Sequence, residues 1–433
     1  MKNMNRLLPV FLIGFSLALL FQGCSSGDFE SQILPYEDRN GNLFSEEVFP
    51  ETGLEAQNGD SGAVSGSNSG LDSGLASSYG PSSGSDSGSD SGSDSNSGSS
   101  SDPKACSASK LQDIVEPATS SNAFVRVDCM LNLKSSDVIT KRLVYEGAGA
   151  SNLTLNCNNA KLLGNNGVND GKDMITVKSI QDGSTYSRPE NIKISNCIVE
   201  GSIRVMGLGQ NGEAESVLLS SRSSGHTARA QQAAPRNIEF NNIAIYSKNR
   251  VPLYFSPGVT YSKILNSTFK GTSGSVVVYL DAESAYNTIK NNEFNVTTKS
   301  REVIAIDGSA NNQIINNKLT ELGNGGIFLY RNCGEGGTIR HQTPSYNVIS
   351  NNYFYYNKYD GKLPPIWLSS RDGARNYCEH DKGYTFGSSE SNLDHASSNI
   401  ISNNKIQKLS PSKMIRLGGS ATKNVISGNK QVE

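Results

Sequence analysis

A short unit, apolar residue, any residue, then Asn, recurs through the second half of the chain at Asn196, Asn242, Asn266, Asn291, Asn316, Asn351 and Asn403. The gaps between them are 46, 24, 25, 25, 35 and 52 residues, and Gly428 follows 25 residues after Asn403. The text around each is shared. YSKILNSTF, YNTIKNNEF, NNQIINNKL, YNVISNNYF, SNIISNNKI and KNVISGNKQ all place Ile two positions before the aligned residue, usually with an apolar residue three after it. A period near 25 residues, built of short apolar strands and polar turns, predicts an all-β solenoid, because one coil buries its apolar face only by stacking on its neighbours. Asn suits the corners, since it tolerates left-handed backbone geometry and its amide can hydrogen-bond from coil to coil.

Three segments precede the solenoid. Lys2 and Arg6 lead into an apolar run, Leu7 to Phe21, that is too short to span a membrane as a helix and reads as a signal peptide over residues 1–23. Its end, LLFQGC, resembles a bacterial lipobox, which implies lipidation of Cys24, with simple secretion as the alternative; Ser25 after it favours the outer membrane. Residues 24–102 read as an acidic tether, nearly pure Ser, Gly and Asp from Asn58 to Asp102, without the periodic apolar residues that calcium-binding β-rolls use to stack. Residues 103–152 are expected to form an N-terminal cap and 153–433 the solenoid.

The net charge of −2 conceals an asymmetry: residues 103–433 hold 36 Lys and Arg against 27 Asp and Glu. A cationic exported domain points to an acidic polysaccharide rather than nucleic acid as partner. Six cysteines remain after Cys24, and proximity pairs Cys106 with Cys129, Cys157 with Cys197 and Cys333 with Cys378 as disulfides. Their spacing does not fit zinc.

A second strand follows each Asn: SIRVMG, VPLYFS, VVVYLD, EVIAID, GGIFLY, PPIWLS and KMIRLG. With a period of two, Leu253 and Phe255, Val278 and Leu280, Ile304 and Ile306, Ile327 and Leu329, Ile366 and Leu368, and Ile415 and Leu417 point inward. One outward column then reads Arg204, Tyr254, Tyr279, Ala305, Phe328, Trp367 and Arg416, and the next Met206, Ser256, Asp281, Asp307, Tyr330, Ser369 and Gly418. Aromatic rings beside carboxylates suit a sugar-binding surface; the competing reading is an aromatic stack covered by loops. Two insertions leave the same strand ends and bring Arg331, Arg340, His341, Arg371 and Arg375 toward the stripe.

The repeat resembles the right-handed parallel β-helix of the pectate-lyase-like superfamily, from Leu153 to Gln431. The resemblance implies the fold and leaves the reaction open. Three chemistries compete. A polysaccharide lyase would use Arg331 or Arg371 to neutralise a uronate carboxylate, with His341 or Tyr330 as base or acid. A glycoside hydrolase would use Asp281 and Asp307, which lie on adjacent coils about 4.8 Å apart; the same pair could instead hold calcium or form an Asp ladder at a turn. A glycan-binding adhesin would turn nothing over. Tyr254, Tyr279, Phe328, Trp367, Arg340 and Arg375 are the substrate-binding candidates throughout. Neither the Asp clusters with downstream His-Gly of polygalacturonases nor the Asp-Pro-His-Asp of alginate epimerases occurs here. The reading is a monomeric enzyme acting by β-elimination, with no role for His226 or His395 and with Ser216 to Pro235 as a disordered insertion.

Overall fold

The computed structural model describes residues 104–433, apart from 165–166, 171, 184, 211–213 and 357–362, together with residues 32–37 and 43–48. The signal segment, Cys24 and the Ser/Gly/Asp stretch lie outside the described residues. Within the expected tether, Gln32–Glu37 and Leu43–Val48 pair as an antiparallel hairpin.

The repeat folds as its period requires. Each coil gives one strand to each of three parallel sheets of ten strands, and the strands stack in chain order. This is a parallel β-helix. The first sheet runs from Leu131–Asn132 to Val425–Ser427 and carries the repeat Ile; the second runs from Val138–Ile139 to Lys430–Val432; the third runs from Phe124–Arg126 to Ile415–Leu417. Between the first and second sheets the chain turns at the repeat Asn, whose φ lies between 50° and 59° in every coil from Asn196 to Asn403, with Gly428 at 63°. An Asn side chain accepts this left-handed geometry at low cost, which is why the corner selects it.

The amide ladder expected of these Asn is split between two positions. In the early coils the left-handed residues bond one another, as when Asn242 Nδ2 donates to Asn196 Oδ1 at 2.7 Å. From Asn292 onward the next residue takes over, buried inside the corner. Asn317 donates from its backbone N–H (2.9 Å) and from Nδ2 (3.0 Å) to Asn352 Oδ1, and again from Nδ2 to the Ile289 carbonyl (2.9 Å). Its own Oδ1 accepts from the backbone N–H and Nδ2 of Asn292, both at 3.0 Å. A second ladder of Asn287, Asn312, Asn347, Asn399 and Asn424 runs at the corner between the third and first sheets. Buried backbone groups of two corners are thereby satisfied without water.

The inward columns fill the core as the alternation predicts, with Leu253, Phe255, Val278, Leu280, Ile304, Ile306, Ile327, Leu329, Ile366 and Leu368 inaccessible to solvent. The last pair departs: Ile415 packs only partly against the core and Leu417 is 48% exposed. No described coil lies above that strand to cover it. At the other end the coils start at Phe124, inside the stretch expected to be cap. Their corners lack the Asn signature, so the repeat was not visible there. The cap itself is helix α1, Ala108–Val115, which buries Ile114 and holds the buried Lys141 ammonium 2.7 Å from Asp113. Cys106–Cys129, Cys157–Cys197 and Cys333–Cys378 are disulfides with Cα separations of 4.9, 4.9 and 4.6 Å. Three disulfides mark a chain of an oxidising compartment, hence an exported one.

Long insertions leave the third sheet after Met206, Tyr330 and Leu368. The first, expected to be disordered, forms helices α2, Glu215–Ser221, and α3, His226–Ala233. Val217, Ala230 and Ala233 are buried, and Ser221 Oγ accepts from the Ile339 N–H of the second insertion at 3.0 Å. Small apolar residues at helical spacing were masked in the sequence by their Ser, Ala and Gln surroundings.

The two Asn positions of one corner make different contributions. Asn317→Ala strands several buried donors and acceptors and is expected to cost about 2–4 kcal/mol, whereas Asn316→Gly keeps a residue suited to positive φ and is expected to change stability by less than about 1 kcal/mol. Urea and thermal melts of the two variants check the order.

Candidate functional site

The outward face of the third sheet has the register that the alternation predicts. Arg204, Tyr254, Tyr279, Ala305, Phe328, Trp367 and Arg416 are successive partners across seven strands. Parallel pairing in register puts their side chains in one row. The insertions then cover part of it. Tyr254, Ala305, Phe328 and Tyr330 are buried in a second apolar cluster with Val251, Val276 and Leu363, while Met206, Tyr279 and Trp367 stay partly exposed at its surface. The loop-covered stack is therefore realised for the first group and an open surface for the second. Cations flank the row: the Arg204 guanidinium lies 5.6 Å from the Tyr254 ring centre, that of Arg301 5.4 Å from Tyr279, and that of Arg416 4.4 Å from Trp367.

Asp281 and Asp307 sit below the row, both buried. Tyr254 Oη donates to Asp281 Oδ2 at 2.5 Å, and the Ala282 N–H donates to Asp281 Oδ1 at 2.7 Å. Tyr279 Oη donates to Asp307 Oδ2 at 2.6 Å, and the Asn332 N–H to its Oδ1 at 2.8 Å. Each carboxylate thus anchors a tyrosine of the preceding coil. Burial, and after it the charge of Asp307, raises the Tyr279 hydroxyl well above its ordinary pKa, so it holds its proton.

Tyr330 lies wholly inside. It donates to Glu302 at 2.9 Å, accepts from Arg301, and supports the Arg371 guanidinium 3.8 Å from its ring centre. Burial likewise keeps it protonated. Burial would push the Glu302 carboxyl up, but the Arg301 and Arg371 charges outweigh it and hold it below its usual range. Arg371 also donates to Asn332 Oδ1. Arg340 is buried, with Nε on the Asn332 carbonyl and Nη2 on Glu335, both at 2.8 Å, and its guanidinium feels Asp307, Asp281 and Tyr279. Arg331 turns away into the insertion, where Nη2 donates to the Ser391 and Leu393 carbonyls. Its backbone N–H and those of Arg371 and Asp372 converge on Asp394. Burial raises the Asp394 carboxyl to about 6 against the pull of those amides.

His341 stands at the helical insertion. Its Nε2–H donates to the Ser221 carbonyl at 2.7 Å, and its ring lies 5.2 Å from His226 and 4.9 Å from Phe386. Its backbone N–H donates to Glu283, which also accepts from Thr227 and so pins α3 to the β-helix. His226, unassigned in the sequence, is buried there, and burial lowers its pKa to about 4. Arg375 is partly exposed beside the Cys333–Cys378 disulfide. Arg301, Asn332 and Glu335 were missed because they fall in turns next to the strands, where the alternation says nothing, and Glu302 because it heads EVIAID ahead of the strand Ile304–Asp307 itself. No three His, Cys, Asp or Glu side chains converge as a metal site among the described residues.

No family model matches the chain, and neither does any curated protein. Among solved structures it is similar to the endo-xylogalacturonan hydrolase of Aspergillus tubingensis, at 14% identity and TM-score 0.38 over 72% of this chain and 86% of that one. PfbA, a surface adhesin of Streptococcus pneumoniae, follows at 15% and 0.36 over 72% and 71%, and an alginate lyase of Paenibacillus at 11% and 0.32 over 69% and 88%. Likeness at this level carries no statement about the reaction.

Proposed function

We propose that this is a polysaccharide-active β-helix protein that cleaves an acidic polysaccharide by β-elimination over the third sheet. The observation that carries the reading is Tyr279, partly exposed in a row of aromatic rings, its hydroxyl fixed by the buried Asp307 and its ring beside the Arg301 guanidinium. Trp367 and Tyr279 offer faces to the C–H patches of sugar rings, and Arg301, Arg375 and Arg416 supply the cations that a uronate carboxylate requires.

In this reading the guanidinium groups neutralise the substrate carboxylate and so acidify the proton on its α-carbon. His341, whose Nδ1 keeps a lone pair while Nε2–H binds Ser221, accepts that proton. The electron pair forms the double bond and expels the glycosidic oxygen, which takes the Tyr279 proton. Tyr330 is a supporting residue, since it is buried and protonated. Elimination is favoured over hydrolysis because Asp281 and Asp307 are inaccessible and already occupied by tyrosine hydroxyls and backbone amides, whereas a glycosidase needs both carboxyl groups facing the sugar. The covering of Tyr254 and Phe328 favours the second reading, a glycan-binding protein without turnover. Outside the described residues, Cys24 is proposed to carry the lipid that anchors the chain at the outer membrane, and residues 58–102 to tether the domain.

Purified protein incubated with alginate, polygalacturonate and hyaluronate is expected to generate ultraviolet-absorbing unsaturated ends together with new reducing ends. Tyr279→Phe is expected to lower that rate by about 10²–10⁴-fold, and to cost about 1–3 kcal/mol of stability because the buried Asp307 loses its hydroxyl partner, so the rate is compared at a temperature where the variant is fully folded. Reducing ends without absorbance would move the assignment to hydrolysis; binding without either would leave a glycan-binding protein. Separately, Cys24→Ser is expected to shift the chain from the membrane to the soluble fraction and abolish labelling by radioactive palmitate.

A further inference from the structure

The corner between the third and first sheets also turns on a left-handed residue, and its identity changes along the stack. Asn152, Asn191, Asn237 and Asn311 fill it in four coils, as the geometry favours, Tyr261, Tyr286 and Tyr346 in three others, at φ of 57°, 59° and 60°, and Ser398 and Lys423 in the last two, at 58° and 57°. Backbone hydrogen bonds tie these residues into one column, from Tyr261 N–H to the Ala285 carbonyl, Tyr286 to Ala310, Asn311 to Ser345 and Tyr346 to Ser397. A bulky side chain at positive φ is strained, and such strain persists where the side chain has a use. Core packing is not that use, because the three rings are 42%, 46% and 63% exposed. The buried, left-handed Glu283 differs: its carboxylate is bound by Thr227 and His341.

The column has a built shape. Tyr261 and Tyr286 stack face to face at 5.0 Å, with the Arg236 guanidinium 4.5 Å from the outer face of the pair. One coil further on, the short Asn311 stands between Tyr286 and Tyr346. Coils rise by about 4.8 Å, so the two rings flank a notch about 10 Å deep along the stack, with an amide at its base. That span accepts one pyranose ring between two aromatic faces. Thr288 and Gln313 lie outward on the adjoining strands, where they can meet hydroxyl groups, and Lys263 and Arg236 give the margin positive charge.

We infer that this column is a second, non-catalytic glycan-binding site, in which Tyr286 and Tyr346 clamp a sugar ring of an acidic polysaccharide across Asn311. It lies at a different corner from the cleft over the third sheet and does not depend on turnover there. It would hold a polymer against the outer wall of the β-helix.

The column itself supplies the test, since Asn is the residue it uses in four other coils. Full-length protein is run in affinity gels containing alginate, polygalacturonate or hyaluronate, with neutral dextran as control, alongside Tyr346→Asn, Tyr286→Asn, Tyr346→Trp and the cleft variant Trp367→Ala. Tyr346→Asn and Tyr286→Asn are expected to weaken retention by an acidic polymer about tenfold, with the melting temperature of Tyr346→Asn unchanged or raised by relief of strain. Tyr346→Trp is expected to retain binding, and Trp367→Ala to leave a residual retention that Tyr346→Asn then removes. Retention unaffected by both Asn variants overturns the site, as does complete loss in Trp367→Ala alone or failure of the unsubstituted protein to bind any acidic polymer. A change of molar mass by light scattering in Tyr346→Asn also overturns it, since the rings would then be joining copies of the chain.

Discussion

The in-register hydrogen bonding of one coil to the next is the constraint on which the rest of the structure depends. A strand of three residues has too few hydrogen bonds and too little apolar face to exist alone. Stacked ten deep in three sheets, the same strands bury continuous columns of Ile, Leu, Val and Phe. Stacking in turn demands that every coil turn at the same place, and the left-handed Asn followed by a buried amide meets that demand with two residues. The amide does for the corner what a ladder does for a sheet: it pairs each inward-facing backbone N–H with an oxygen one coil away.

The same regularity explains why the region over the third sheet is chemically dense. Residues one period apart are forced into contact, so a tyrosine on one coil and a carboxylate at the end of the next strand form a pair at 2.5 Å for Tyr254 with Asp281 and at 2.6 Å for Tyr279 with Asp307. A buried carboxylate needs such partners, since an unpaired charge there would be costly. Arg340, Arg371 and Arg301 complete the balance; Asn332 joins Asp307, Arg340 and Arg371 through its N–H, carbonyl and side chain, and Arg301 is tied in through Glu302 and Tyr330. The network is closed to solvent except at Tyr279, Arg301 and Glu335. Chemistry at this surface would therefore be carried by the outermost groups, with the acids acting through the hydroxyls they hold.

Much of this was legible in the sequence, for one physical reason: periods of two and of about 25 residues are imposed by geometry. Tyr254, Tyr279, Phe328 and Trp367 fall in one row as the alternation requires, and Cys333 meets Cys378 because two insertions leave the same sheet. What alternation cannot give is depth. Whether Asp307 faces water or lies under Asn332 is decided by loops whose path has no period. Glu302, at the head of the EVIAID segment and two residues before the strand Ile304–Asp307, gave no sign of its role, although it is the partner of Tyr330. His226 was hidden differently, on a short helix whose apolar residues are mostly Ala and whose order comes from Glu283 rather than from its own propensity.

Where the insertions occur follows from the corners. From Ser195 onward the turn between the first and second sheets is two residues in every described coil, and a third residue would displace the amide that the next coil needs. The exit of the third sheet has no such lock until the chain reaches the second left-handed position, so additional residues are accommodated there without breaking the stack. Successive insertions consequently rise from one side of the molecule and meet one another. Arg331 reaches the carbonyls of the third insertion, and Ser221 of the first binds the second. A candidate site over the third sheet is thus where this solenoid tolerates variation, flanked by corners whose hydrogen bonding forbids it.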